Sequence, residues 1–335
     1  MIPNERISLF GHLPSGAPVQ RICLQHGALR ANLLTYGATL QDLRLEGGAH
    51  PLVLGADHLA PYLNEFEYVG AIVGRYAGRI AHGQFEIEGT RHNLSRNDKA
   101  RHCLHGGAHG SNHLNWTILG VAPHQARLGL TLPDEHMGFP GTLSIEACFT
   151  LTGAGALEIL LSAQSTAPTP CSLAHHGYFN LDGSRSIADH SLWIDAAQYL
   201  QVDADLIPTG TVQDVAGSQI DFRTPRPIGT APIDTTFCPS PPRDALRQVA
   251  CLKSDKSHIA MRVETNQHGL HLYNGAHLSG TAGLGLEGRA YAANAGLAFE
   301  TQHWPDAPNH AQFPNAILRP EDTYRNHTIY RFEQI

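Results

Sequence analysis

Four short stretches of this 335-residue chain place charged or imidazole side chains inside otherwise apolar runs. GAIVGRYAGRI carries Arg75 and Arg79, CLHGG carries His105, SLAHHGYFNL carries His175 and His176, and LAFETQHWPDAPN carries Glu300. Asp234, in PIDTTF, adds a second carboxylate. The set contains an acid, a base, a cation and a further carboxylate. A carboxylate and an imidazole can exchange protons with a substrate near neutral pH, one taking and one giving. None of the spacings is local, so only a tertiary fold can gather these residues.

The elements that must position them are strands. Leu143, Ile145, Ala147, Phe149 and Leu151 alternate with smaller or polar residues, as do Leu157, Ile159 and Leu161. Leu128, Leu130 and Leu132 repeat the pattern, and so do Ile259, Met261 and Val263. A period of two puts one face on a core and the other toward solvent or a cleft. By the same period Ala298, Glu300 and Gln302 share one face, opposite Leu297 and Phe299. Ser172, Ala174, His176 and Tyr178 share a face likewise. The 33 glycines and 21 prolines interrupt these runs often enough to close many short strands. Helical signals are two weak ones: a short turn after Asp57 in DHLAPYLNE, and RDALRQVACL over Arg243–Leu252. No βαβ rhythm and no GxGxxG opening a helix is present, which excludes a dinucleotide-binding sheet. No internal repeat, linker or composition shift divides the chain. The expected architecture is all-β, one antiparallel sandwich over residues 1–335.

Composition narrows the function classes. A formal charge of −7 and 16% charged residues argue against nucleic-acid binding, which needs a basic patch. Neither a secretory leader nor an apolar run of membrane-spanning length is visible, so a cytoplasmic protein is expected. Six cysteines without a CxxC pair read as reduced structural thiols. The 22 histidines raise the question of a metal. A metal enzyme of cupin type would need a compact ligand motif. His102, His105, His109 and His113 are close enough in sequence to be considered for one.

The ordered series TYGATL, LVLG, GRYAGRI, LHGG, Trp116, PDEHMGFPG, HHGYFNL, DADLIPTG, PIDTTF, LHLYNG, FETQHWPDAPN and LRPEDTY resembles the aldose 1-epimerase (galactose mutarotase) family along nearly the whole chain. The Gly-rich stretch around the four histidines matches a turn of that family. The resemblance implies a galactose-mutarotase-like β-sandwich of the supersandwich type, with a free aldose bound in an open cleft and no cofactor or metal. It implies Glu300 as the base that takes the proton from the anomeric O1 hydroxyl, and His176 as the acid that protonates the ring oxygen. Arg79, His105 and Asp234 match positions that hold sugar oxygens. His175 and His303 are expected to support the site, and Arg75, Tyr178 and Asn180 to brace it. Ring opening needs one proton removed from O1 and one delivered to O5. A carboxylate and an imidazole on opposite sides of a pyranose would do both.

Three positions depart from the family pattern. Gly78 stands where the family usually has Asn, His271 where it has Gln, and His175 where it has Asn. Gly78 and His271 are expected to line the cleft, with some room gained at Gly78. The preferred sugar therefore stays open between D-galactose or D-glucose and an aldose differing at a hydroxyl or at C6, such as a pentose or 6-deoxy sugar. Other readings are a hexose-6-phosphate 1-epimerase, which needs an Arg or Lys cluster for phosphate, and a non-catalytic carbohydrate-binding module, which retention of Glu300 and His176 argues against. A monomer or loose homodimer is expected.

Overall fold

Wherever the period of two is strong, the backbone is strand. Leu143–Thr152 alternates buried residues with partly or fully exposed ones along its whole length, and Ala156–Ser165 pairs with it antiparallel over ten residue pairs. The computed structural model describes residues 6–239, 245–276, 278 and 283–335. Among them the helical elements are short 3₁₀ turns of three or four residues, and no helix is long and apolar enough to cross a membrane.

Two sheets carry the architecture. A nine-stranded antiparallel sheet runs in the order Thr117–Ala122, Gln125–Leu132, Leu143–Thr152, Ala156–Ser165, Tyr324–Gln334, Ile259–Thr265, Arg247–Ser254, Ser191–Ile194 and Arg226–Pro227. A six-stranded sheet runs Tyr178–Phe179, Leu297–Gln302, Gly269–Tyr273, Asp234–Cys238, Gln198–Val202 and Pro208–Asp214. One apolar core joins them: Leu143, Ile145, Phe149 and Leu161 of the larger sheet share it with Leu270, Leu272, Leu297 and Phe299 of the smaller. The Tyr330 hydroxyl pins the layers by donating 3.1 Å to the Phe299 carbonyl. A four-stranded sheet, from Ile7–His12 to Thr39–Leu45, adds a further layer at the N-terminal end. The all-β sandwich expected from the alternation is thus observed.

Both helical expectations need correction. The turn near Asp57 exists as a 3₁₀ helix over Ala60–Leu63, but Leu59 occupies its N-cap. The Asp57 carboxylate instead accepts from the Glu287 N–H at 2.8 Å. Residues 247–252 of the second candidate are strand, hydrogen-bonded on both sides by Ser191–Ile194 and Ile259–Thr265; residues 243 and 244 lie outside the described residues. Local helix propensity is worth only tenths of a kcal/mol per residue, and burial of Val249, Ala250, Cys251 and Leu252 between two partners outweighs it.

The run from Ser172 to Tyr178 is not one strand. Ala174–His175 pairs with Ile72–Val73, and Tyr178–Phe179 pairs with Leu297–Ala298. The break falls at His176, whose N–H bonds the Ala71 carbonyl at 2.9 Å. His176 and Tyr178 nevertheless end side by side, with ring centroids 5.1 Å apart.

Candidate active site

The register of the six-stranded sheet assembles a polar row on the face turned away from the core. Asp234 pairs with Tyr273 and Thr236 with His271. His271 in turn pairs with Glu300, and Tyr273 with Ala298. Because cross-strand partners share a face, Asp234, Thr236, His271, Tyr273, Glu300 and Gln302 all look the same way, as alternation predicted for Glu300 and Gln302. Leu270, Leu272, Leu297 and Phe299 look into the core.

Above this row lies a cavity of about 420 Å³. Its walls include Gly78, Arg79, His105, Asp234 and His271, so five of the seven site residues named from sequence line it. The other two, Glu300 and His176, 1% and 4% exposed, lie against wall residues: Glu300 is the cross-strand partner of His271, and the His176 ring stands 5.3 Å from that of His105. His176 Nε2 is 3.3 Å from Glu300 Oε1. The remaining carboxylate oxygen, Glu300 Oε2, has no protein hydrogen bond among the described residues. A buried carboxylate oxygen without a donor is costly, and such a group is expected where a substrate completes the bonding.

This geometry corrects one expectation. Acid and base were expected on opposite sides of a sugar ring. Here they touch, and nothing the size of a pyranose fits between atoms 3.3 Å apart. The two oxygens that exchange protons, O1 and O5, are bonded to the same carbon. A side-by-side pair can therefore address both from one side.

The supporting groups have distinct tasks. His105 adopts φ +51°, next to Gly106 at +88°. A Cβ on Gly106 would lie 2.2 Å from the Gly74 carbonyl oxygen, so only glycine allows this loop to close. The Gly78 N–H donates to His105 Nδ1 at 3.2 Å. In a neutral ring the other nitrogen, Nε2, then carries the proton and acts as a donor. Burial, with the nearby His176 and Arg79, holds the His105 pKa well below the ordinary histidine value, which keeps the ring neutral. His105, His176 and Glu300 bring donor atoms within 4.8 Å of one another. A metal ligand must offer a lone pair, whereas the free nitrogen of His105 carries a proton, so the trio fits hydrogen bonding to a substrate better than a cation. The neighbouring histidines disperse: His113 reaches Glu67, and His102 accepts from the His82 N–H.

Arg79 is held by Asp98 at 2.8 Å. Asp234 Oδ1 lies 3.0 Å from His271 Nε2. Arg75 faces away, donating to the carbonyls of Pro140 and Gly141, and His175 is packed in the core beside Phe179 and Tyr330. Asn180 braces a loop through the carbonyls of Ser184 and Ala295. Tyr178 was expected only to brace, yet it lines the cavity. The expected room at Gly78 is absent. A Cβ there would meet the Pro305 ring at 2.9 Å, so that ring occupies the space.

Sequence reasoning missed much of the wall, including Glu67, Tyr68, Thr236 and Tyr273. Thr236 and Tyr273 were reachable, since each lies two residues from a named one on an alternating strand. Glu67 and Tyr68 come from a turn without periodicity.

Comparison with known proteins agrees with this picture. The family model described as aldose 1-epimerase matches residues 20–331. The chain is 36% identical to human galactose mutarotase, with 97% of each chain covered. It is 32% identical to aldose 1-epimerase of Escherichia coli K12, over 95% of this chain and 96% of that one. Among solved structures, an aldose epimerase homologue from C. elegans superposes with a TM-score of 0.88 at 29% identity, covering 94% of this chain and 99% of the other. Galactose 1-epimerase from Lactobacillus acidophilus does so with a TM-score of 0.85 at 27% identity, covering 98% of each. A buried imidazole–carboxylate pair beneath a polar cavity, on a sandwich shared end to end with these proteins, places the chain in the aldose 1-epimerase family.

Proposed function

We propose that this protein interconverts the α and β anomers of a free aldose, with Glu300 and His176 as the proton-transfer pair. Glu300 takes the O1 proton, the O1 electrons form the C1 carbonyl, the C1–O5 bond breaks, and protonated His176 gives its proton to O5. The open chain rotates about C1–C2. Attack of O5 on the other carbonyl face, with the two residues in exchanged roles, closes the ring as the second anomer. His105 Nε2–H and Arg79 donate to sugar oxygens, while Asp234 accepts from a hydroxyl. The observation that carries this reading is the 3.3 Å contact between two buried groups that adjoin His105 and His271 in the wall of a sugar-sized cavity.

The galactose mutarotases among the relatives make D-galactose the first sugar to test. A phosphorylated aldose fits less well, because Arg79 is the one Arg or Lys on the cavity wall among the described residues and Asp98 already holds it. We take residues 1–335 as one catalytic domain, acting as a monomer or loose homodimer. Its cysteines, unpaired among the described residues, suit a reducing cytoplasm.

Polarimetry of freshly dissolved pure anomers of D-galactose, D-glucose, L-arabinose, D-xylose and L-fucose tests the reading. The expected result is faster mutarotation of at least one sugar, unchanged by chelator. No acceleration with any of them, or activity lost to chelator and restored by one metal, would overturn it.

A further inference from the structure

Resting on the reading of this cavity as the sugar site, we propose that Thr236 is a further sugar-contacting residue, and that the chain Asp234–His271–Thr236 decides whether its hydroxyl donates to the sugar or accepts from it.

The geometry is a relay across two adjacent strands. His271 Nε2 lies 3.0 Å from Asp234 Oδ1, and His271 Nδ1 lies 2.8 Å from Thr236 Oγ1. Asp234, Thr236 and His271 all line the cavity. An ionised carboxylate only accepts, so Nε2 must carry a proton. With a neutral ring, Nδ1 is then a lone pair, and the Thr236 hydroxyl spends its one proton on it. Toward the cavity Thr236 can only accept. When the ring gains a proton, Nδ1–H donates to Oγ1, and the hydroxyl proton is released to the cavity. One proton on His271 thus reverses the polarity of Thr236.

A sugar hydroxyl has one proton too. If it gives that proton to Asp234, it can offer Thr236 only a lone pair. Such a hydroxyl is satisfied from both sides only when His271 is charged. Sugar affinity is therefore higher below the titration of His271 and falls as the ring becomes neutral.

The groups facing His271 are Asp234 on one neighbouring strand, Glu300 on the other, and Arg79 and His105 across the cavity. Burial works against its charge. The hydrogen bond to Asp234 and the field of Glu300 outweigh burial and the opposing Arg79, and the pKa lies above the ordinary histidine value. His105 is itself kept neutral.

The experiment is kcat and KM measured separately from about pH 5.5 to 9 for the native enzyme, His271→Gln, Thr236→Val and Thr236→Ser. Native KM is expected to rise about tenfold with pH, the worth of one hydrogen bond, on a curve that kcat does not follow. His271→Gln and Thr236→Val should show a flat KM near the native high-pH value. Thr236→Ser, which restores the hydroxyl, should restore the pH dependence. A flat native KM, or a pH-dependent KM that survives in His271→Gln or Thr236→Val, overturns the proposal. If Glu300→Gln and His176→Asn lose turnover while native KM is flat, the relay alone is wrong. If those two variants keep turnover, the site reading itself fails.

Discussion

The strands Leu143–Thr152 and Leu297–Gln302 are built on the same alternation but live in different surroundings. The first has a buried face and an outer face that is partly or fully exposed. The second is buried at all six positions. Leu297 and Phe299 enter the core, while Glu300 and Gln302 are buried on the opposite face. The outer sheet can leave its polar residues in water. The inner strand takes a carboxylate and an amide out of water, which costs free energy unless something bonds them. Both polar atoms of the Gln302 side chain, like Glu300 Oε2, lack a protein partner among the described residues. One sheet serves stability, and the other gives up some stability for a site.

That contrast can be broken by substitution. The largest effect belongs to the core under the outer sheet. Phe149, fully buried, should cost about 3–5 kcal/mol of stability when changed to Ala, with kcat and KM of the remaining folded enzyme close to native. Chemical denaturation alongside kinetics would show it, and a Phe149→Ala enzyme of normal stability would dissolve the distinction. Next come Glu300→Gln and His176→Asn. Each should lower turnover roughly 10²-fold or more, equivalent to about 2.7 kcal/mol of barrier, while the unfolding midpoint stays near native. Near-native turnover in either variant removes that residue from the mechanism.

A smaller effect sharpens the comparison through pH. His175 lies behind the site, and burial, aided by His176, lowers its pKa to about 3. The unfolded chain would bind a proton from about pH 6.5 downward, where the folded chain does not. Stability is therefore complete above that range and falls as pH drops toward about 3, by at most about 1.4 kcal/mol per pH unit from this group. His303, buried to about 4, adds to the same trend. Urea midpoints measured against pH should show a shallower acid slope in His175→Phe than in the native protein, and an unchanged slope would assign the acid sensitivity elsewhere. The smallest effect is at the surface. Arg127 and Glu146 form a bidentate pair on the outer sheet, at 2.7 and 2.9 Å. Exposed pairs of this kind contribute little, so Arg127→Ala should leave Tm and kinetics within measurement scatter.

Much of the site was legible because its residues sit in strands whose period exposes them. Glu300 is flanked by Phe299 and preceded by Leu297, so its face could be assigned before any fold was known. Asp234 and His271 were legible as members of an ordered motif series. Thr236 was overlooked although it shares the face of Asp234. Threonine is common in strands for ordinary reasons, and a hydroxyl becomes informative only once its partner, His271 Nδ1, is known. Tyr68 and Glu67 had no signal, since turns carry no periodicity to assign a direction.

The chain by itself determined the all-β class and the core-facing residues, because alternation is a local property, and its ordered motifs, through their resemblance to the family, named the proposed proton-transfer pair. Tertiary structure alone decided the rest. It set Glu300 against His176 rather than across a ring from it, made residues 247–252 a strand, placed Pro305 in the space beside Gly78, and aligned Thr236, His271 and Glu300 in one row. Each of these depends on register and packing between segments far apart in sequence. A shift of one residue in any strand would turn its polar face from cavity to core.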